Sequence, residues 1–408
     1  MSRGDIDAKP EGQRPVVLVL ASTYPRWAGD HEPGFVHELC KRLVGTFDVW
    51  VVTPSAPGTL PHEIFQGVHV YRYRYAPRSL ETLVHDGGIV TNLRRQPWKA
   101  LLLPGFLLGL AWKAFGLARH SSVRAIHAHW MIPQGSIAVR LGHPTLVTAH
   151  GADVFALRGR LFDRMRATVS RRASAIAVVS GAMVNCIGAT ERTRPEVLPM
   201  GIDLVRFTET GVQRHPCQLL FVGRLVEKKG LRYLLDAMPA IIARDSRAEL
   251  LVVGFGPELP ALREQAARLG IEGQVRFVGA VSQEDLPQFY RNATVFVAPF
   301  VEASNGDREG LGLVVAEAMA CGCPVVVGNV GGASDLLGGG DNGLLVDARK
   351  PSALAAAIVE LLVDEERRLL MASRGAAFVR TNFGWDAIAA RYAALLKRVI
   401  QSPSSPGG

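Results

Sequence analysis

Short apolar runs alternate with longer amphipathic stretches along most of the chain. The runs PVVLVLAS (Pro15–Ser22), VWVVTP (Val49–Pro54), AIHAHW (Ala125–Trp130), TLVTAH (Thr145–His150) and AIAVVS (Ala175–Ser180) are short, rich in β-branched residues and bounded by turn formers. Such runs predict strands of a parallel sheet buried on both faces. Between them the spacing turns helical, as in FVHELCKRL, which sets Phe35, Leu39 and Leu43 on one face. A polar stretch follows PMGID (Pro199–Asp203), and then the alternation restarts with LLFVGR, LLVVG, VRFVG, VFVAP, PVVVG and GLLV. Two successive strand–helix series predict an α/β protein of two Rossmann-like, doubly wound domains. The expected division is a first domain at 1–203, a linker at 204–216 and a second domain at 217–383. A helix at 384–402 follows, with Ile388, Tyr392, Leu395 and Leu396 on its apolar side, and then a disordered tail at 403–408.

The composition, 48% hydrophobic and 20% charged over 408 residues, is globular and leaves room for two or three cores. The formal net charge of +9 and a pI near 9.6 suit an anionic partner such as a phosphorylated ligand or an acidic lipid. The excess is spread along the chain with no aromatic-interleaved basic module, which argues against nucleic acid. Cys40, Cys186, Cys217, Cys321 and Cys323 form an odd, scattered set without zinc spacing, and no secretory signal precedes the first strand. These features point to a reducing, cytoplasmic setting, with Cys321 and Cys323 as small packing residues.

Ligands of open parallel sheets bind beyond the carboxyl ends of the strands, so chemistry is expected just after each run. FVGRLVEKKG places Arg224 at a strand end and Lys229 before a helix, the ingredients of an anion site. Gly34 precedes the first helix, whose amides and dipole face the same cleft. VVGFGPE has only Gly254 and Gly256 of a dinucleotide fingerprint, so a tight turn is the better reading. EGLGLVVAE brackets a helix start near Leu311 with Glu309 and Glu317. Eight residues at helical rise span about 12 Å. Paired-acid glycosidases hold their carboxyls about 5–5.5 Å or about 6.5–9.5 Å apart, so the two acids fit better as grips on opposite ends of one extended ligand.

Together, EGLGLVVAEAMACGCPVV, GRLVEKKG, AHGAD and NFGWDAIAARY resemble the retaining glycosyltransferases of glycosyltransferase family 4 over nearly the whole chain. The resemblance implies the GT-B fold, two Rossmann-like domains facing across a cleft, and sugar transfer from a nucleotide-sugar donor. It implies that Glu309 binds the donor sugar and positions its reacting face, and that His150 approaches the sugar. Glu317 would hold the ribose hydroxyls, and Arg224 and Lys229 would neutralise the diphosphate. Amides of Gly310, Leu311, Gly312 and Leu313 would touch sugar and phosphate oxygens, Gly34 would flank the phosphate, and backbone near Val281 would read the base. No metal and no further cofactor is implied, the leaving phosphate taking the acceptor proton during front-face attack. The block IHAHWMIPQGSIAVRL is similar to bacterial members that build exopolysaccharide or lipopolysaccharide, which implies a glycan or lipid-linked acceptor. In two places the chain departs from the family: RWAGDHEPGFV lacks the common paired glycine, and GGASDLL has Asp335 where many relatives have glutamate.

Other readings stay open at this point. A nucleotide-sugar epimerase or hydrolase of the same fold would use the same donor residues, as would a non-catalytic nucleotide-sugar-binding protein. A nicotinamide dehydrogenase is disfavoured, since no complete G-x-G-x-x-G follows a strand. His127 and His129 share one strand face and read as interior residues rather than metal ligands. Trp98–His120 is the most apolar stretch. Its uninterrupted part, Ala100–Trp112, is short for a bilayer and contains Pro104. It is either a helix buried on the first sheet or, with Trp98, Trp112, Lys99, Lys113 and Arg119 as anchors, a peripheral contact on the inner face of the cytoplasmic membrane.

Overall fold

Strand-forming runs assemble into two sheets in the computed structural model, which describes residues 14–30, 34–85, 88–187 and 194–401. The expected tail at 403–408 lies outside the described residues. The first sheet contains β1 (Val16–Leu20), β2 (Asp48–Pro54), β3 (His62–Phe65), β4 (Val68–Tyr73), β5 (Val123–His129), β6 (Thr145–Ala149), β7 (Ala175–Val178) and β8 (Glu196–Val197), in the order β3-β4-β2-β1-β5-β6-β7-β8. The second contains β9 (Gln218–Val222), β10 (Glu249–Val253), β11 (Val275–Gly279), β12 (Val295–Ala298), β13 (Val325–Gly328) and β14 (Leu344–Val346), in the order β11-β10-β9-β12-β13-β14. In each sheet the first strand lies between the second and the fourth parallel strand, which opens a switch point at its carboxyl end. Val17, Leu18, Val19 and Leu20 are fully buried, as a strand covered on both faces requires. Each such side chain contributes about 1.5–3 kcal/mol of burial.

Three strands, β3, β4 and β8, have no counterpart among the apolar runs. β3 pairs antiparallel with β4 through a turn at Gln66 and Gly67, both at positive φ. It is a half-exposed edge strand and has no continuous apolar run. The buried side of α1 (Phe35–Leu43) is Val36, Leu39, Cys40 and Leu43. Phe35 is instead only partly buried, its ring 5.0 Å from that of His150 in the cleft. The helix Trp385–Gln401 packs against α1, β5 and β6 of the first domain. Its Tyr392 hydroxyl donates to the Leu198 carbonyl at 2.9 Å, tying the end of the chain to the first sheet.

α2 (Gly88–Arg95) leads through a 3-10 turn at Pro97–Leu102 into α3 (Leu103–Ala118). Pro104 does not interrupt this segment. It sits in the first turn of α3, where a missing amide hydrogen costs nothing. The helical stretch Pro97–Ala118 therefore has 22 residues, long and apolar enough by length and composition to cross a bilayer. Lys99 is no surface anchor; it is buried and donates to the Thr82 carbonyl at 3.0 Å.

Candidate active site

β9 ends at Val222, and the chain turns through Arg224 into the short helical turn Glu227–Lys229. Gly230 follows at φ +69 and opens the helix Leu231–Arg244. This geometry turns Lys229 inward. Its Nζ lies 2.7 Å from Oε2 of Glu309, which arrives on the loop after β12. Lys228, beside it, lies 3.3 Å from Asp307. Burial by itself would raise the Glu309 carboxyl, but Lys229, Lys228 and Arg224 outweigh it and hold the acid at about 2. Burial lowers the Lys229 ammonium and Glu309 counters it. The pair keeps both charges inside the protein.

The helix Leu313–Ala320 starts two residues later than the expected Leu311, with Gly312 as its N-cap at φ +88. A β-carbon on Gly312 would come within 2.6 Å of the Phe300 ring. On Gly310 it would lie 2.5 Å from the His150 carbonyl oxygen of the other domain. Glycine at these positions lets the backbone of Glu309–Leu313 run against the opposite wall and open a helix N-terminus there. Glu317 lies within that helix and accepts a hydrogen bond of 2.9 Å from the Tyr290 hydroxyl. Burial pushes Glu317 up to about 7, against the lowering effects of Tyr290, Arg206 and Lys229. Glu317, Leu313, Gly34, Arg206 and Ser282 line a common cavity of about 570 Å³. Val281 is partly buried beside Ser282 and does not itself line that cavity.

The opposite wall is built differently. His150 follows β6, and its Nε2 lies 2.9 Å from Nδ1 of His129 at the end of β5. The Trp130 ring is 4.9 Å from that of His150. Burial, helped by His127, pushes His150 down to about 3, so it is neutral near pH 7. Asp153 shapes this loop, accepting from the amides of Met131 at 2.6 Å and of His150 and Gly151 at 3.1 Å. His127 is interior, its Nε2 2.9 Å from Thr148 Oγ1. His129 is buried too, but its bond to His150 gives it a place in the cleft that strand alternation could not reveal.

Several polar contacts join the walls, among them Arg158 at 3.7 Å from Glu302. Arg224 Nη1 donates to Thr91 Oγ1 of α2 at 3.3 Å, and the Gly181 amide donates to Asp335 at 2.6 Å. The fold thus gathers Arg224, Lys229, Glu309 and His150 at the facing ends of β9, β12 and β6, with Glu317 and Gly34 on one cavity. Sequence reasoning missed Lys228, Tyr290, Asp153, His129 and Thr91. Lys228 and Asp153 stood inside the motifs EKKG and AHGAD; Tyr290 and Thr91 have no local pattern that marks them. Gly254 and Gly256 form the tight turn, packed against the backbone of Gly223 and Leu225.

Two family models match the chain, one described as Glycosyltransferase Family 4 over residues 35–206 and one as Glycosyl transferases group 1 over residues 216–364. A D-inositol 3-phosphate glycosyltransferase 2 of Catenulispora acidiphila is 35% identical over 440 aligned positions, covering 95% of this chain and 96% of that protein. The chain belongs to glycosyltransferase family 4. A GDP-mannose-dependent alpha-(1-6)-phosphatidylinositol monomannoside mannosyltransferase of Mycobacterium tuberculosis is 37% identical over 213 residues. That match covers 50% of this chain and 55% of the relative, so the aligned part spans about half the relative's length. Among solved structures, a sucrose-phosphate synthase from Thermosynechococcus elongatus superimposes with a TM-score of 0.78 at 23% identity, covering 95% of this chain and 100% of that one. The two facing parallel-sheet domains of this family member are therefore the GT-B fold, and the cleft between them is its candidate active site.

Proposed function

We propose that the protein transfers a sugar from a nucleotide-diphosphate donor to a glycan or lipid-linked acceptor, with retention of anomeric configuration and without a metal ion. The observation that carries this reading is the largely buried Lys229–Glu309 pair, with Lys228 and Arg224 near it, facing a neutral histidine wall. Arg224 and Lys229 neutralise the departing diphosphate, aided by the amides of Gly310–Leu313 at the helix N-terminus. Glu309, held ionised, orients the sugar and favours positive charge developing at its anomeric carbon. His150 contacts the sugar as a neutral hydrogen-bonding group. Glu317 takes the ribose hydroxyls in the cavity beside Tyr290, with Gly34 near the phosphates and backbone around Val281 near the base. The acceptor hydroxyl attacks from the face the diphosphate leaves, and the phosphate oxygen takes its proton.

Both named relatives carry an inositol phosphate in their names, which supports a phosphorylated polyol acceptor, free or on a lipid. The five free cysteines agree with work in the cytoplasm, on the inner face of the membrane. The decisive experiment incubates the purified protein with UDP-, GDP- and ADP-sugars and candidate acceptors, with and without EDTA, and follows the product anomer by NMR. The expected product retains the donor configuration and forms equally in EDTA. An inverted product, or activity that EDTA removes and magnesium restores, contradicts the mechanism. Free sugar released at the same rate without acceptor makes the protein a hydrolase.

A further inference from the structure

The transfer reading leaves one surface unused. Between Asp86 and Asp153 the sequence has no acidic residue but seven Lys and Arg. This segment includes α3, whose inner face, Phe106, Leu110, Ala114 and Ala118, is buried in the first domain. The opposite face is bare. Leu101 is 82% exposed, Leu108 70%, Trp112 84% and Phe115 49%. Trp98 is 47% exposed at the start of the same stretch. Arg95 and Arg119 stand exposed at its two ends. Only 22% of the most apolar window in Pro97–Ala118 is buried.

The helix lies on the domain and cannot leave it cheaply. β-Carbons on Gly105 and Gly109 would fall 2.4 Å and 2.7 Å from the carbonyl oxygens of Tyr75 and Arg74, so α3 is seated directly on the backbone after β4. Crossing a bilayer would tear that contact and the inner apolar face away. A second copy is also a poor cover. A two-fold contact sets the same patch against itself, and here that brings cation against cation with no acid in the segment to answer it. An anionic lipid surface complements both the bare apolar face and its basic ends. Its position suits the cleft as well. Thr91, which accepts from Arg224, precedes Trp98 by seven residues across the end of α2.

We propose that the outer face of α3 docks on a bilayer bearing anionic headgroups, with the helix axis in the plane of the surface and the cleft opening at its rim. This rests on the transfer reading for its purpose, delivery of a lipid-linked acceptor, though not for its physical basis. The test is flotation of the full chain with phosphatidylcholine vesicles, with and without phosphatidylglycerol, at low and high salt. Binding is expected only with phosphatidylglycerol and is expected to weaken as salt rises. Trp112→Glu and Leu101→Glu should each lower partitioning by more than about tenfold, and Arg119→Glu by at least about fivefold. All three sites are exposed, and unchanged thermal melts and unchanged GDP and UDP affinity would show that the variants are folded. Absence of binding at low salt, or binding indifferent to Trp112→Glu and Leu101→Glu, overturns the proposal. So does a lipid-free dimer in sedimentation that Trp112→Glu dissolves. Vesicle binding without any sugar transfer would keep the docking face and reject the transfer reading; transfer without vesicle binding would do the reverse.

Discussion

On the second-domain wall of the cleft, Lys229 and Glu309 stay charged in each other's company, with Lys228 and Arg224 nearby. On the first-domain wall, His127, His129 and His150 are pushed toward the neutral form by burial. Both walls are largely shielded from solvent, so the difference lies in partners. A buried charge persists only when another charge or several hydrogen bonds answer it; an imidazole without such a partner sheds its proton. The arrangement suits a donor that is charged at one end and neutral at the other. On the proposed reading, the diphosphate would meet cations already desolvated, and the sugar would lie between the Glu309 carboxylate and the neutral histidines.

The largest effect expected from disturbing this contrast is on turnover. Glu309→Gln keeps the shape of the site but removes its anion, and should slow transfer by about 10²–10³-fold, the scale of one lost preorganised electrostatic contact. The change also leaves the Lys229 ammonium without its anion, so the variant should melt below the wild-type temperature, yet stay folded and bind nucleotide at the assay temperature. Near-normal rates in that folded variant would remove Glu309 from the chemistry.

Next comes stability. Lys229→Met strands the Glu309 carboxylate in the interior, and breaking a buried pair from one side costs about 3–5 kcal/mol. Chemical denaturation should show it. His150→Asn on the neutral wall leaves no charge unpaired and should cost clearly less. Equal losses in the two variants would erase the distinction between the walls.

Arg224→Ala is expected to weaken nucleotide diphosphate binding by about 1.5–3 kcal/mol, the value of a charge-assisted hydrogen bond. Calorimetric titration with GDP and UDP reads it directly, and an unchanged affinity would take Arg224 out of the phosphate site.

The smallest effect is a pH dependence. Burial raises Glu317 from an ordinary 4.5 to about 7. Its raised affinity for a proton favours the unliganded fold at low pH, and that contribution is lost as pH rises from the ordinary carboxylate range through about 7. If the ionised form accepts the ribose hydroxyls, nucleotide binding releases a proton and strengthens between pH 6 and pH 8, by less than about tenfold. Glu317→Gln should flatten that part of the profile relative to wild type. An identical pH dependence in both proteins would place the ribose elsewhere.

Much of this architecture is legible in residue order alone. Short, β-branched runs such as VVLVL, bounded by turn formers, read as buried strands without tertiary information: a strand covered on both faces is apolar at every position, and length and β-branching set it apart from a buried helix. β3 is illegible for the same reason in reverse: half-exposed at the sheet edge, it follows no such rule. Phe35 packs against the core on the face its spacing gives it, but helical spacing could not show that the first turn of α1 also opens onto the cleft. Among site residues, Glu309, Glu317, Arg224 and Lys229 stand in motifs, and Tyr290 and Thr91 do not, since each meets its partner only through the fold.

The sequence by itself determined the two α/β series, the acids and bases at their loop ends, and an acid-free basic and apolar stretch in the first domain. These are local properties, written in residue type and spacing. Tertiary structure decided the rest. It set Lys229 at 2.7 Å from Glu309 across 80 residues, joined His129 to His150, and turned one face of α3 inward and the other outward. Charge state and exposure depend on what lies within a few ångströms in space, and chain distance carries almost no information about that.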